Sequence, residues 1–216
     1  MTQAGVLPMP CDNLDMNQSS SDGSARGPAE FHLASASPRR RELLTQAGYR
    51  FDVRASNIDE TADMAEPDVL VVALAERKAA AVACVVEGPV LAADTLVEID
   101  GTLLGKPTDE SDAQSMLQRL SGRSHRVLTG VALVTTEGVR SLLTSTTVEM
   151  DVWTDQDIAA YWRSGEPQGK AGAYAIQGIA GAWVQSIQGS YTGVVGLPMA
   201  QTRHLLAEAG ITAVCA

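Results

Sequence analysis

Lysine is nearly missing from this 216-residue chain, with three against thirteen arginines. Acids outnumber bases 26 to 16, a formal net charge of −10. That shortage of positive charge excludes a nucleic-acid coat protein and a membrane-surface binder, which need broad basic faces. Cysteine is scarce too. Cys11, Cys84 and Cys215 are odd in number, far apart and without a CxxC pair, so neither a disulfide framework nor a structural zinc site is expected. No long apolar run offers a membrane-spanning helix. The start shows no basic-then-apolar secretory pattern. The expectation is a cytoplasmic protein with no membrane or nucleic-acid partner.

Aromatic residues are absent from the first thirty positions, and all nine lie between Phe31 and Tyr191. The stretch 11–30 holds only five apolar residues in twenty, too few to offset the entropy of ordering it. Residues 1–29 are therefore expected to form a disordered acidic tail, and 30–216 one domain. Charges up to Glu30 sum to −3, which leaves −7 on the remainder.

From Phe31 onward, strand and helix patterns alternate. Residues 31–37 predict a strand, 37–48 a helix, and 51–56 a second strand. A long Ala-rich helix is expected over 66–88, stopping at Gly88-Pro89. Asp100-Gly101 and Glu137-Gly138 mark hairpin turns. Two further helices are expected around 109–122 and 154–165, and a closing one over 197–210. The alternation predicts α/β, and the hairpins predict a mixed twisted sheet with flanking helices.

Three stretches carry chemistry. In Ser35-Ala36-Ser37-Pro38-Arg39-Arg40, Ser37 suits a helix N-cap and Pro38 the first helical position. The free N–H groups and the dipole then favour an anion. Arg39 and Arg40 in the same turn oppose the dipole unless an anion sits there. The bland alternative is a solvated basic turn. Second, the three lysines fall in suggestive settings. Lys106 follows a turn, Lys170 lies among small residues, and Lys78 sits on the long helix, where a surface role is equally open. The stretch 101–106 is one residue short of a phosphate-binding P-loop and continues with Pro107, which excludes that motif. Third, Asp94 interrupts the apolar run 90–97. An acid there is costly unless paired or metal-bound. It could cap the strand end, or serve as a metal ligand or general base. Asp59 and Glu60 add acids on a loop. Acids with Arg and Lys in one cleft suit a magnesium-bound polyphosphate.

Together the stretches LASASPRRRELL (33–44), IDET (58–61), AERKA (75–79), LAADTLV (91–97), LLGKP (103–107), LSGRSHRVLTGVAL (120–133), GEPQGKAGAYAIQG (165–178) and GSYTGVVGLP (189–198) resemble the Maf family of nucleoside triphosphate pyrophosphatases. The resemblance implies a fold like that of inosine triphosphate pyrophosphatases, with two lobes around a central cleft. It implies hydrolysis of a nucleoside triphosphate to monophosphate and pyrophosphate with a divalent metal, Mg²⁺ or Mn²⁺, and a homodimer. Removal of modified or non-canonical nucleotides is a related expectation. The segment 165–178 is similar to the branch acting on dTTP and UTP rather than the one acting on 7-methyl-GTP. On this resemblance Asp94 is the proton acceptor, and Arg39, Thr95 and Gln177 set substrate specificity. Ser35, Arg40, Glu60, Lys78, Lys106 and Lys170 line the cleft, with Glu60 and Asp94 as metal ligands. Gly169 departs from the family, which often has Asp there. The alternatives are a 7-methyl-GTP pyrophosphatase and a non-catalytic nucleotide-binding regulator of cell division.

Overall fold

The computed structural model describes residues 28–58 and 66–213. The expected tail therefore lies outside the described residues, apart from Pro28 and Ala29. Among the described residues seven strands form one sheet: β1 (Phe31–Leu33), β2 (Phe51–Val53), β3 (Val90–Ile99), β4 (Thr102–Leu104), β5 (Ser124–Thr135), β6 (Gly138–Met150) and β7 (Val184–Gln188). Their order is β2-β1-β3-β5-β6-β7, with β4 paired to β3. The β2-β1-β3 edge is parallel and every other pairing is antiparallel. The fold is the expected mixed α/β sheet with flanking helices.

Among the described residues six α-helices accompany the sheet: α1 (Pro38–Gln46), α2 (Pro67–Ala83), α3 (Glu110–Leu120), α4 (Asp155–Arg163), α5 (Tyr191–Val195) and α6 (Met199–Glu208). Their starts follow from local chemistry. Ser37 accepts from the Arg40 amide and Pro38 opens α1. Asp109 caps α3. Thr154 and Asp157 cap each other's backbone at α4. The first hairpin turns at Asp100-Gly101 as expected, and the second turns at Thr136-Glu137, one residue before the Glu137-Gly138 signal, with Gly138 already in β6. α2 is shorter than expected, ending at Ala83 rather than near Gly88. Its buried stripe, which includes Leu74, Lys78 and Val82, runs out there. Cys84 and Val85 are exposed, so packing no longer supports another turn.

The sheet separates two apolar layers. Val90 and Ala92 pack with Ala75, Ala79 and Val82 under α2. Leu91 and Ala93 face the other way, onto Leu44, Leu197 and Leu206. A third cluster joins Val97, Ile99 and Val127 to α3 and α4. α2 lies close on β5 because Gly130 has no side chain. A Cβ there would stand 2.4 Å from the Val71 carbonyl oxygen.

Candidate active site

β5 pairs with β3 along one edge without interruption, from Val90 to Glu98. The other edge is different. β1 pairs only with Val90 and Leu91, and β4 begins at Val97. Between them no strand of the described residues pairs with that edge, which leaves a notch. Asp94 and Thr95 sit in it. Successive strand residues face opposite sides, so Asp94 turns to the α2 layer and Thr95 to the layer of α1 and α5. The loop after β1 and the loop after β4 flank the notch. They carry Ser35–Ser37 and Gly105–Lys106.

On the α2 side, Lys78 Nζ donates to Asp94 Oδ1 at 2.5 Å. Lys78 is 7% exposed and Asp94 6%. The lysine belongs to the buried stripe of α2, not to a solvated face. The pair resolves the cost of an acid inside an apolar strand, because each charge offsets the other's desolvation. Among the described residues Asp94 Oδ2 accepts no hydrogen bond, so one carboxylate oxygen remains for chemistry.

On the other side, Arg40 is the organiser. Its guanidinium donates to the Gly196 carbonyl at 2.8 Å, to Ser35 Oγ at 3.0 Å and to Thr95 Oγ1 at 3.1 Å. A rigid fork of donors suits three acceptors at once. Thr95 Oγ1 lies 3.1 Å from Thr129 Oγ1, which donates to the Gly193 carbonyl. Sequence reasoning missed Thr129. The signal was present, since Thr129 is a hydroxyl in an apolar strand run, as Asp94 is an acid in one. Its pairing with Thr95 depends on strand register.

Arg39 is half-buried and donates to the Val195 carbonyl at 3.2 Å. Burial pulls its guanidinium below the ordinary arginine value. Lys170 is held below the ordinary lysine range, first by burial and then by the Arg39 charge, with Glu166 pulling the other way. Among the described residues its Nζ reaches only the Gln168 carbonyl, at 3.2 Å. Two cations that feel each other's charge gain from a nearby anion. The Gly172 amide donates to the Gly105 carbonyl at 3.0 Å, tying the Lys170 loop to the Lys106 loop. Lys106 is exposed, and so is Gln177. Gln177 follows Ile176 in a segment of short 3₁₀ turns rather than a regular element.

The structure thus joins Ser35, Arg40 and Thr95 in one network, Lys78 and Asp94 in another, and Arg39 with Lys170 by charge. Lys106 and Gln177 make no side-chain bond to these groups. Glu60 lies outside the described residues. No cluster of three or more metal-ligating side chains occurs among the described residues. A magnesium-type ion takes one or two carboxylates and completes its shell with water and substrate phosphates. Asp94, a hard oxygen donor, suits that role. No helix among the described residues is long and apolar enough to cross a membrane.

Known proteins resemble the chain over most of its length. A dTTP/UTP pyrophosphatase of Colwellia psychrerythraea is 50% identical over 185 residues, covering 82% of this chain and 87% of that protein. A dTTP/UTP pyrophosphatase of Ralstonia nicotianae is 47% identical over 196 residues, covering 84% and 95%. One of Pseudoalteromonas translucida is 49% identical over 178 residues, covering 81% and 94%. The family model described as Maf-like protein matches residues 30–209, and the chain belongs to that family.

Proposed function

We propose that the chain hydrolyses dTTP and UTP to the monophosphate and pyrophosphate in the notch of β3. The observation that carries this is the buried Lys78–Asp94 pair with one carboxylate oxygen left over. Lys78 fixes Asp94 through Oδ1, which leaves Oδ2 to take a proton from an attacking water. That water forms a bond to the α-phosphorus, and the bond from the α-phosphorus to the bridging oxygen breaks. Pyrophosphate carries the electron pair away. Arg39, Lys106 and Lys170 offset charge on the triphosphate and on the leaving pyrophosphate. Arg40, committed to Ser35, Thr95 and Gly196, holds the loop after β1 so that the α1 N-terminus meets a phosphate. Asp94 and Glu60 would hold Mg²⁺ or Mn²⁺, which when bound neutralises phosphate charge.

Gln177 offers one donor group and one acceptor, which matches the O4 and N3–H edge of uracil or thymine. The names of the relatives support this choice of base. A homodimer, two lobes around the cleft and a cytoplasmic location belong to the same proposal. The test is pyrophosphate release, with magnesium, from a panel of UTP, dTTP, CTP, dATP, GTP and 7-methyl-GTP. UTP and dTTP are expected to be the best substrates. Preference for 7-methyl-GTP would overturn the assignment of base. Binding of nucleotides without any pyrophosphate would favour the regulator.

A further inference from the structure

Tyr161 and Glu166 are buried and half-buried respectively, stand outside the notch, and take no part in the steps above. They bracket Gln177 on both sides. The Ala175 amide donates to Tyr161 Oη at 3.1 Å. The Tyr161 hydroxyl donates to Glu166 Oε1 at 2.8 Å. The Glu166 carboxylate accepts from the Ile179 amide at 3.0 Å and from the Ala180 amide at 3.3 Å. Thus two side chains hold the backbone two residues before Gln177 and two and three residues after it. Burial first, and the bond to Glu166 second, push the Tyr161 phenol above its ordinary range, so it stays protonated and donating. Space is also reserved. A Cβ at Gly178 would fall 2.1 Å from Glu166 Oε2, so the carboxylate approaches the backbone only because that residue is glycine. An exposed glutamine on a segment without regular structure would otherwise sample many poses. A site that discriminates by hydrogen bonds needs one.

We infer that Tyr161 and Glu166 are positioning residues that fix the pose of Gln177 and thereby set selectivity for the uracil-type edge over the cytosine-type edge. This rests on the reading of Gln177 as the base-contacting residue. UTP and CTP differ only at that edge, so the ratio of their kcat/KM values isolates the effect.

Tyr161→Phe removes one hydroxyl, and Glu166→Gln turns one acceptor into a donor facing a backbone N–H. Each is expected to lower the UTP-to-CTP ratio roughly tenfold, about the worth of one or two lost hydrogen bonds, with UTP's KM rising more than its kcat falls. Gly178→Ala, which drives a methyl group into the carboxylate, is expected to do the same. Gln177→Ala should lower the ratio at least as far, and adding Glu166→Gln to it should lower it no further. General loosening of the fold would depress UTP and CTP together and leave the ratio unchanged, which would overturn the proposal. An unchanged ratio in Tyr161→Phe and Glu166→Gln, beside a collapsed ratio in Gln177→Ala, overturns the positioning role alone. An unchanged ratio in Gln177→Ala overturns the base-reading role and the positioning role together.

Discussion

Replacing Lys78 by methionine keeps the length of the side chain and removes its charge. Lys78 and Asp94 are each less than a tenth exposed and lie 2.5 Å apart, and Lys78 is the only hydrogen-bond donor to Asp94 among the described residues. The variant therefore leaves a buried carboxylate without its partner. Breaking such a pair costs about 3–5 kcal/mol, against 0–1 kcal/mol for a surface pair. In a chain of this size about 3 kcal/mol corresponds to a melting temperature lower by roughly 6–12 °C. The assay is urea unfolding followed by circular dichroism, with the cycle closed by Asp94→Leu and by Lys78→Met with Asp94→Leu. The double variant places two apolar side chains together, so it should recover most of the loss, within about 1–2 kcal/mol of the parent. A loss below about 1 kcal/mol in Lys78→Met, or strict additivity in the double variant, would refute the view that these charges form one buried unit.

Two further outcomes follow from the scaffold. His125 is buried, its Nε2 lies 2.8 Å from the Tyr174 hydroxyl, and its Nδ1 has no partner among the described residues. Burial lowers its pKa to about 4. The unfolded chain then binds a proton that the folded one refuses between about pH 6.5 and 4, so stability falls as pH drops through that window, by about 3 kcal/mol in all. His125→Gln should flatten this slope in unfolding curves taken from pH 7 to 4, and an unchanged slope would remove His125 as its source. Gly130→Ala puts a methyl group 2.4 Å from the Val71 carbonyl. It should cost about 1–3 kcal/mol and, by shifting α2 and Lys78 against Asp94, lower activity as well. A neutral effect on both would show that α2 is free to move.

Much of this site could be read along the chain because its signals are local. Ser37 and Pro38 announce the start of α1 within four residues. Asp94 stands out because its neighbours are apolar. The strand turns near Asp100-Gly101 and Glu137-Gly138 are dipeptide signals. Lys78 shows the limit. Its place in a stripe with Leu74, Ala75 and Val82 is visible in the spacing, yet spacing cannot tell a snorkelling lysine from one paired inward. Thr129 was legible only as a hydroxyl in an apolar run, and its links to Thr95 and the Gly193 carbonyl, like that of Arg40 to the Gly196 carbonyl, were not. They depend on the register between β3 and β5 and on carbonyls 64 and 156 residues away from their donors. Glu166 was similarly hidden, since its partners lie up to fourteen residues ahead in a segment with no periodicity.

The central claim concerns Asp94, and Asp94→Asn tests it most directly because shape is kept and charge is lost. The measurement is pyrophosphate release from dTTP in magnesium, with folding of the variant verified by circular dichroism. Loss of a general base is expected to lower kcat by roughly 10²–10⁴-fold. A folded Asp94→Asn variant that turns over within about threefold of the parent would contradict the assignment.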